Sequence, residues 1–315
     1  MSTYIVRRLV QAIPLLLIIS IALFGLLHLI PGGPETVAFN PRMTPEARHD
    51  MIVAYGLDQP LPVQYVKWLW GVLHLNFGAT FKDGRPVIAV IGERLPATLE
   101  LLGTAFLLAL VLAIPLGIIA AVKQYSLLDY VFTVASYLGI CMPVFWFAEM
   151  LILLLAITLG WFPTGGMATE GAPPSFRDAL HHLILPVVVL SLVFIAAWSR
   201  YLRSSMLDVL HQDFLRTARA KGVARLQLIM KHAFRNALIP LVTIVALDVA
   251  TIFGGAVITE TIFSWPGLGR LFFDSLSSRD YPVLMAMMVL SAASVVFCNL
   301  VADIIYGLLD PRIRY

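Results

Sequence analysis

The chain has 315 residues, of which 59% are apolar and only 13% charged, with a net charge of +3. Soluble domains carry roughly 25% charged residues, so this chain has too few charges to coat a soluble surface and is expected in a bilayer, with no nucleic-acid partner. The two cysteines, Cys141 and Cys298, both lie in apolar runs, which suggests small core thiols rather than a disulfide framework or a metal pair.

A membrane-spanning helix needs roughly 20 mainly apolar residues, because lipid offers no partners to backbone N–H and C=O groups. Six segments meet that requirement: Leu9–Ile30, Ala97–Val122, Phe132–Leu159, Leu183–Ala197, Ala237–Thr259 and Val283–Leu308. The first follows Arg7 and Arg8 as a signal peptide's apolar stretch would. It continues past any cleavage point at Ser20–Ala22, however, and reads as an uncleaved anchor. Between the first two spans, Thr44-Pro45-Glu46 predicts a helix start and Gly56 its end. After Pro60, LPVQYVKWLWGVLHL is amphipathic, and Trp68 and Trp70 are expected to anchor it at the outer interface. Pro14, Pro115, Pro143, Pro186 and Pro240 fall in or at the ends of the spans. Backbone groups freed at such positions find partners on neighbouring helices, which favours a packed bundle.

Glu149 and Asp248 lie near the middle of the third and fifth spans. Charged groups there are costly and commonly face a water-filled cavity. Two readings stand open: both acids line one pathway and attract a cationic group, or each is protonated or hydrogen-bonded to a neighbouring helix. Glu100 and Asp303 sit nearer span ends. His181-His182 lacks an H-E-x-x-H context and is assigned to the outer interface. The glycine-rich WPGLGR at 265–270 is expected to be a tight turn. No G-x-x-x-x-G-K-[ST] phosphate loop occurs, so the chain is not expected to hydrolyse ATP.

Positive charge in short loops orients the spans. Arg7, Arg8, Lys123, the cluster from Arg200 to Arg235, Arg312 and Arg314 all fall on one side when the N-terminus is cytoplasmic. Residues 200–235 hold eight Lys and Arg against Asp208 and Asp213. Residues 31–96 then lie outside. Within the inner loop, Asp213 is expected to cap a helix over Phe214–Lys221, with Gly222 as its left-handed stop. Phe214, Ala218 and Lys221 share one face, flanked by Arg216 and Arg219. A second helical stretch, 224–236, leads toward Pro240. A helix–Gly–helix of this kind can transmit force to a soluble partner; the plainer alternative is a basic loop that obeys the charge bias and attracts anionic lipid.

RTARAKG followed by HAFRNALIP resembles the "EAA" loop of binding-protein-dependent ABC importer permeases in their dipeptide/oligopeptide form. Arg216, Thr217 and Ala218 stand at the Glu-Ala-Ala positions and Gly222 at that of the motif's glycine, so the first two letters depart from the general motif. The N-terminal YIVRRLVQAIPLLLIISIALFGLLHLIPGGP, then ERLPATLEL, TETIFSWPGLGRLFFDSLSSRDYPV and ADIIYGLLDPRIRY, resemble further parts of that family in order. The resemblance implies an all-α, six-span, type I importer permease fold of a bacterial inner membrane. Residues 1–30 would be an extra N-terminal helix, 31–96 an extracytoplasmic segment, and 97–315 a five-helix core with its coupling loop at 203–236. It also implies a second similar permease, two ATPase subunits carrying ATP and Mg²⁺, and an extracytoplasmic peptide-binding protein, with no cofactor in this chain. Coupling would fall to Asp213, Phe214, Arg216, Thr217, Ala218, Arg219, Lys221 and Gly222. Such permeases look alike whether they carry dipeptides, longer peptides, glutathione or nickel complexes, so the cargo stays open. A secondary transporter or channel would account for six spans and buried acids but not for this loop. A membrane-embedded hydrolase lacks a nucleophile–base pair.

Overall fold

The computed structural model describes residues 2–29, 44, 46, 49, 52–53, 56–250 and 256–309. Helix α1, Ser2–Leu29, carries Pro14 inside it, and its apolar stretch is Val10–Leu26. Most of the predicted Thr44–Gly56 helix lies outside the described residues; Gly56 itself has φ +64°, as a helix stop requires. Helix α2, Leu61–Leu73, opens with Pro62, where a missing N–H costs nothing, and closes as the His74 N–H reaches the Gly71 carbonyl and the Leu75 N–H that of Val72.

Helix α3, Val87–Val122, has 36 residues, about 54 Å at roughly 1.5 Å each, far longer than a hydrocarbon core of about 30 Å. The predicted Ala97–Val122 span is its apolar part. The third predicted span, Phe132–Leu159, is not one rod. Helix α4, Leu127–Cys141, and helix α5, Val144–Leu151, which runs on in wider π-helical turns over Ile152–Thr158, meet at a bend of 102°. The cause is Pro143, which lacks an N–H and drives Met142 into extended backbone at φ −74°, ψ 124°.

Helix α6, Phe176–Leu210, extends the predicted fourth span at both ends. Helix α7, Asp213–Ala220, follows directly, and α8, Arg225–Ala250, runs through wide turns at Leu228–Ala233 and past Pro240 without stopping. The remaining helices are α9, Val257–Ile262, α10, Leu268–Ser278, and α11, Tyr281–Leu309. WPGLGR is therefore more than the tight turn expected: its Gly267 is the N-cap of α10. Four described helices, α3, α6, α8 and α11, are long and apolar enough to cross a membrane, and the bent α4–α5 pair would be a fifth. The protein is a mostly helical, multi-pass membrane protein.

The chain divides into two compact units. One comprises Met1–Thr98, Thr251–Val257 and Pro266–Phe297. Its core joins Phe77, Val87 and Ile91 to Leu268, Val283, Ala286 and Met287, and a second cluster gathers Phe24, Tyr281 and Met285 with Tyr65, Trp68 and Phe81 around them. The two tryptophans of α2 thus part company: Trp68 lies against Phe24, ring centroids 6.0 Å apart, while Trp70 is exposed. Gly269 has no room for a side chain, since a Cβ there would sit 2.6 Å from the Val257 nitrogen.

The other unit comprises Leu99–Ala250, Ile258–Trp265 and Cys298–Tyr315. Helix α6 is its hub, with α4, α5 and α8 packed on it. Helix α3 approaches α6 at Gly117, where a Cβ would stand 2.9 Å from the Ser199 carbonyl oxygen. Small residues permit such close crossings in membranes, where oily surface gives no drive to pair.

Candidate functional site

The 211–224 loop is built from the end of α6. Leu215 is the anchor of α7, 2% exposed, with Ala218 half-buried one turn on. Phe214, Arg216, Thr217, Arg219 and Lys221 are exposed. The face predicted from Phe214, Ala218 and Lys221 is therefore rotated by about one residue. The spacing Leu215–Ala218 was equally present in the sequence, and an eight-residue helix is too short for periodicity to choose between the two.

Gln212, in extended backbone, occupies the N-cap position expected of Asp213. Asp213 is the first helical residue, and its carboxylate pairs with Arg216 at 3.6 Å on the surface. A negative charge at that end still suits the unpaired N–H groups of the first turn. The predicted stop holds: Gly222 has φ +80°, its N–H reaches the Arg219 carbonyl at 3.0 Å, and the Val223 N–H reaches that of Ala218 at 3.3 Å. The result is a short, basic, outward-facing helix with a sharp end.

Close to it lies a pair that no sequence pattern announced. Arg203 of α6 donates through Nε to Asp129 Oδ1 at 2.7 Å and through Nη2 to Oδ2 at 2.8 Å. The Asp129 side chain is 4% exposed, and it also accepts from the Tyr125 N–H at 3.0 Å. Ser126 Oγ, in turn, accepts the Asp129 N–H and caps α4. The Ser-x-x-Asp cap was readable in the sequence. The partner 74 residues away was not.

Glu149 and Asp248 have different neighbours. Glu149 is exposed on α5, beside Ala148, which is fully buried in a cluster with Leu185 and Val189 of α6. Asp248 of α8 accepts the indole N–H of Trp198 at 2.6 Å. Trp198 lies nine residues beyond Val189 along α6, roughly 14 Å at about 1.5 Å per residue. Trp198 is itself fully buried and stacks near Phe106 and Phe194. One of the two readings left open for Asp248, a hydrogen bond to a neighbouring helix, is thus realised.

Two groups outside the spans carry local order. Asp280 is 4% exposed, accepts the Phe81 N–H at 3.2 Å and takes the Val283 N–H at the start of α11. Burial pushes its carboxyl above the usual range. Asp83 is solvated, and the Thr80 hydroxyl and Arg85 N–H hold its carboxyl below the usual range. His182 is not the interface residue expected from its pairing with His181: it is buried, with Nδ1 on the Gly165 carbonyl at 2.9 Å. His181 Nε2 meets the Trp161 carbonyl at 2.6 Å, so the two histidines together hold the 161–165 loop.

Comparison with known proteins covers the whole chain. Residues 113–315 match the family described as binding-protein-dependent transport system inner membrane component, and residues 1–102 match the N-terminal family of such membrane components. The chain is 47% identical over 316 residues to the oligopeptide transport system permease protein AppB of Bacillus subtilis (strain 168), covering all of both. It is 39% identical over 337 residues to the dipeptide transport system permease protein DppB of Escherichia coli (strain K12), covering all of this chain and 99% of that one. Its identity to the di/tripeptide transport system permease protein DppB of Pseudomonas aeruginosa (strain UCBPP-PA14) is 39% over 334 residues, with the same coverage.

Proposed function

This chain belongs to the family of binding-protein-dependent transport system inner membrane components, and we propose that it is the permease subunit of an ATP-driven peptide importer. In this reading it forms half of the passage, opposite a second similar permease. Six spans are α1, α3, the bent α4–α5 pair, α6, α8 and α11, with α1 the extra N-terminal helix and both termini cytoplasmic. Residues 31–96 face an extracytoplasmic peptide-binding protein. Two ATPase subunits hold ATP and Mg²⁺ on the cytoplasmic side, and this chain hydrolyses nothing itself. Relatives named for oligopeptide and dipeptide transport support a peptide cargo.

The observation that carries the proposal is α7: a short helix anchored at Leu215, with its charges outward and a left-handed glycine after it. Seated in a groove on an ATPase, it would move when ATP closes the ATPase pair. Through α6 and α8 that motion would turn the passage from inward- to outward-facing, as one rigid body rocking on another. Asp213, Phe214, Arg216, Thr217, Ala218, Arg219, Lys221 and Gly222 form the contact. Of the two acids within the spans, Glu149 is the one assigned to the pathway. Asp248 acts chiefly through its bond to Trp198.

Two measurements test this. Purification from native membrane should yield two ATPases and a second permease with this chain. Gly222→Asp should insert normally yet leave ATP hydrolysis uncoupled from uptake. Isolation as an active single-chain transporter, or unchanged uptake in the variant, would refute the assignment.

A further inference from the structure

We propose that a cavity behind α7 binds a phosphate group, and that its place at the bilayer surface makes an anionic phospholipid headgroup the source. The cavity encloses about 290 Å³ among α3, the turn after it, α6, α7 and α8. Its polar lining is Gln124, Tyr125, His211, Arg219 and Arg225, over an apolar floor that includes Val122 and Leu210. Two guanidiniums, permanently charged, offer planar forks of N–H donors that match phosphate oxygens. The Gln124 amide and Tyr125 hydroxyl add further donors, while His211 spends its Nδ1–H on the Leu207 carbonyl at 2.7 Å.

Among the described residues, no carboxylate lines the cavity. The nearby acids are otherwise engaged or turned outward: Asp129 is held by Arg203, Asp213 by Arg216, and Asp208 is exposed on α6. Among the described residues, neither Arg219 nor Arg225 is paired with an acid. Two cations in one unneutralised recess repel each other, and an anion between them removes that cost.

Position selects the source. The 123–127 turn exposes Tyr125 at 73% and Leu127 at 78%. Helix α4 continues that apolar outer face through Leu128, Val131, Val134 and Leu138. Such a face belongs against lipid tails, and a tyrosine at its end belongs at headgroup level. The cavity opens beside that tyrosine. Basic pockets at the cytoplasmic ends of membrane helices hold anionic headgroups in this way. A phosphate seated there would bridge α7, α8 and the turn after α3, so that bilayer composition would set how firmly α7 is held.

The proposal rests on the reading that puts α7 on the cytoplasmic side and gives Arg219 a second role in the cavity lining; the test reads lipid binding and not uptake, so the two can fail separately. The assembled transporter is placed in nanodiscs of phosphatidylcholine alone, or with phosphatidylglycerol added, and lipid retained on this chain is counted by native mass spectrometry. Phosphatidylglycerol should be retained, with a loss of about fivefold for each arginine removed in Arg219→Gln and Arg225→Gln. Arg225→Lys and Arg216→Gln should retain it. If the double variant does not assemble, Arg225→Gln alone is read. A second arm adds inorganic phosphate to phosphatidylcholine discs and follows ³¹P line broadening. Broadening that needs the two arginines, without phosphatidylglycerol retention, supports the phosphate site and makes its source soluble. Equal retention in wild type and Gln variants, or retention of phosphatidylcholine as well as phosphatidylglycerol, overturns the proposal.

Discussion

Removing Arg203 isolates the energetic role of the clamp between α4 and α6. Its guanidinium makes two charge-assisted hydrogen bonds to Asp129, at 2.7 and 2.8 Å, and bonds of that kind contribute about 1.5–3 kcal/mol each. Breaking a fully buried pair by deleting one member costs about 3–5 kcal/mol, because the other charge is stranded. Here the Asp129 side chain is 4% exposed but Arg203 is 27% exposed, and the Tyr125 N–H still supports the carboxylate. Arg203→Ala should therefore cost about 2–4 kcal/mol, somewhat below the fully buried case. Asp129→Ala should cost less, about 1–3 kcal/mol, since the freed guanidinium can reach water. The double variant should lose less than the two together, leaving a coupling of about 2 kcal/mol. The assay is equilibrium unfolding of the purified transporter in mixed detergent micelles, with all four forms compared. Single losses that simply add, to within about 0.5 kcal/mol, would show that the geometry carries no specific energy.

Four further expectations follow from separate places in the structure. At Gly222, φ is +80° and a Cβ would meet nothing within 4 Å, so substitution is penalised by backbone conformation alone. Gly222→Ala should destabilise the loop by about 1 kcal/mol, and Gly222→Asn, which tolerates the left-handed region, by less; hydrogen exchange at Val223 and Ala224 reports it, and equal effects would refute it. Gly117→Leu should prevent stable folding, because a Cβ alone would already press on the Ser199 carbonyl at 2.9 Å and on Leu202; normal expression and thermal stability would contradict that crossing. Trp198→Phe should lower stability by about 1–3 kcal/mol through loss of the indole hydrogen bond to Asp248, and Asp248→Asn should be milder because an amide oxygen still accepts. Asp280 has a folded pKa raised by burial, so the folded state holds its proton more tightly than the unfolded one. Its contribution is fully present below the ordinary carboxylate value of 3.8 and is lost as pH rises through the raised value. Asp83 has the opposite sign, its contribution being lost on acidification. Asp280→Asn should therefore flatten the fall in stability above the ordinary range, read as melting temperature against pH.

Hydropathy alone carried most of the architecture. Apolar runs of the right length located the cores of α3, α6, α8 and α11 because a bilayer allows only helices that satisfy their own backbone. Gly222 was legible for a similar reason: only a residue without a side chain adopts φ +80° cheaply, so its role follows from identity. Comparable local logic gave Gly56 its turn.

What the sequence by itself determined was thus whatever is decided within a few residues or by the solvent: membrane class, helix positions, the polarity of loops and the stop after α7. Only the tertiary structure decided which groups meet. The burial of Leu215 in place of Phe214, the bond from Trp198 to Asp248 and the clamp from Arg203 to Asp129 all depend on helices distant in sequence coming together. In lipid, side-chain fit and hydrogen bonds choose helix neighbours, since oily surface does not distinguish one helix from another. That choice leaves no period in the chain for a reader of residues to find.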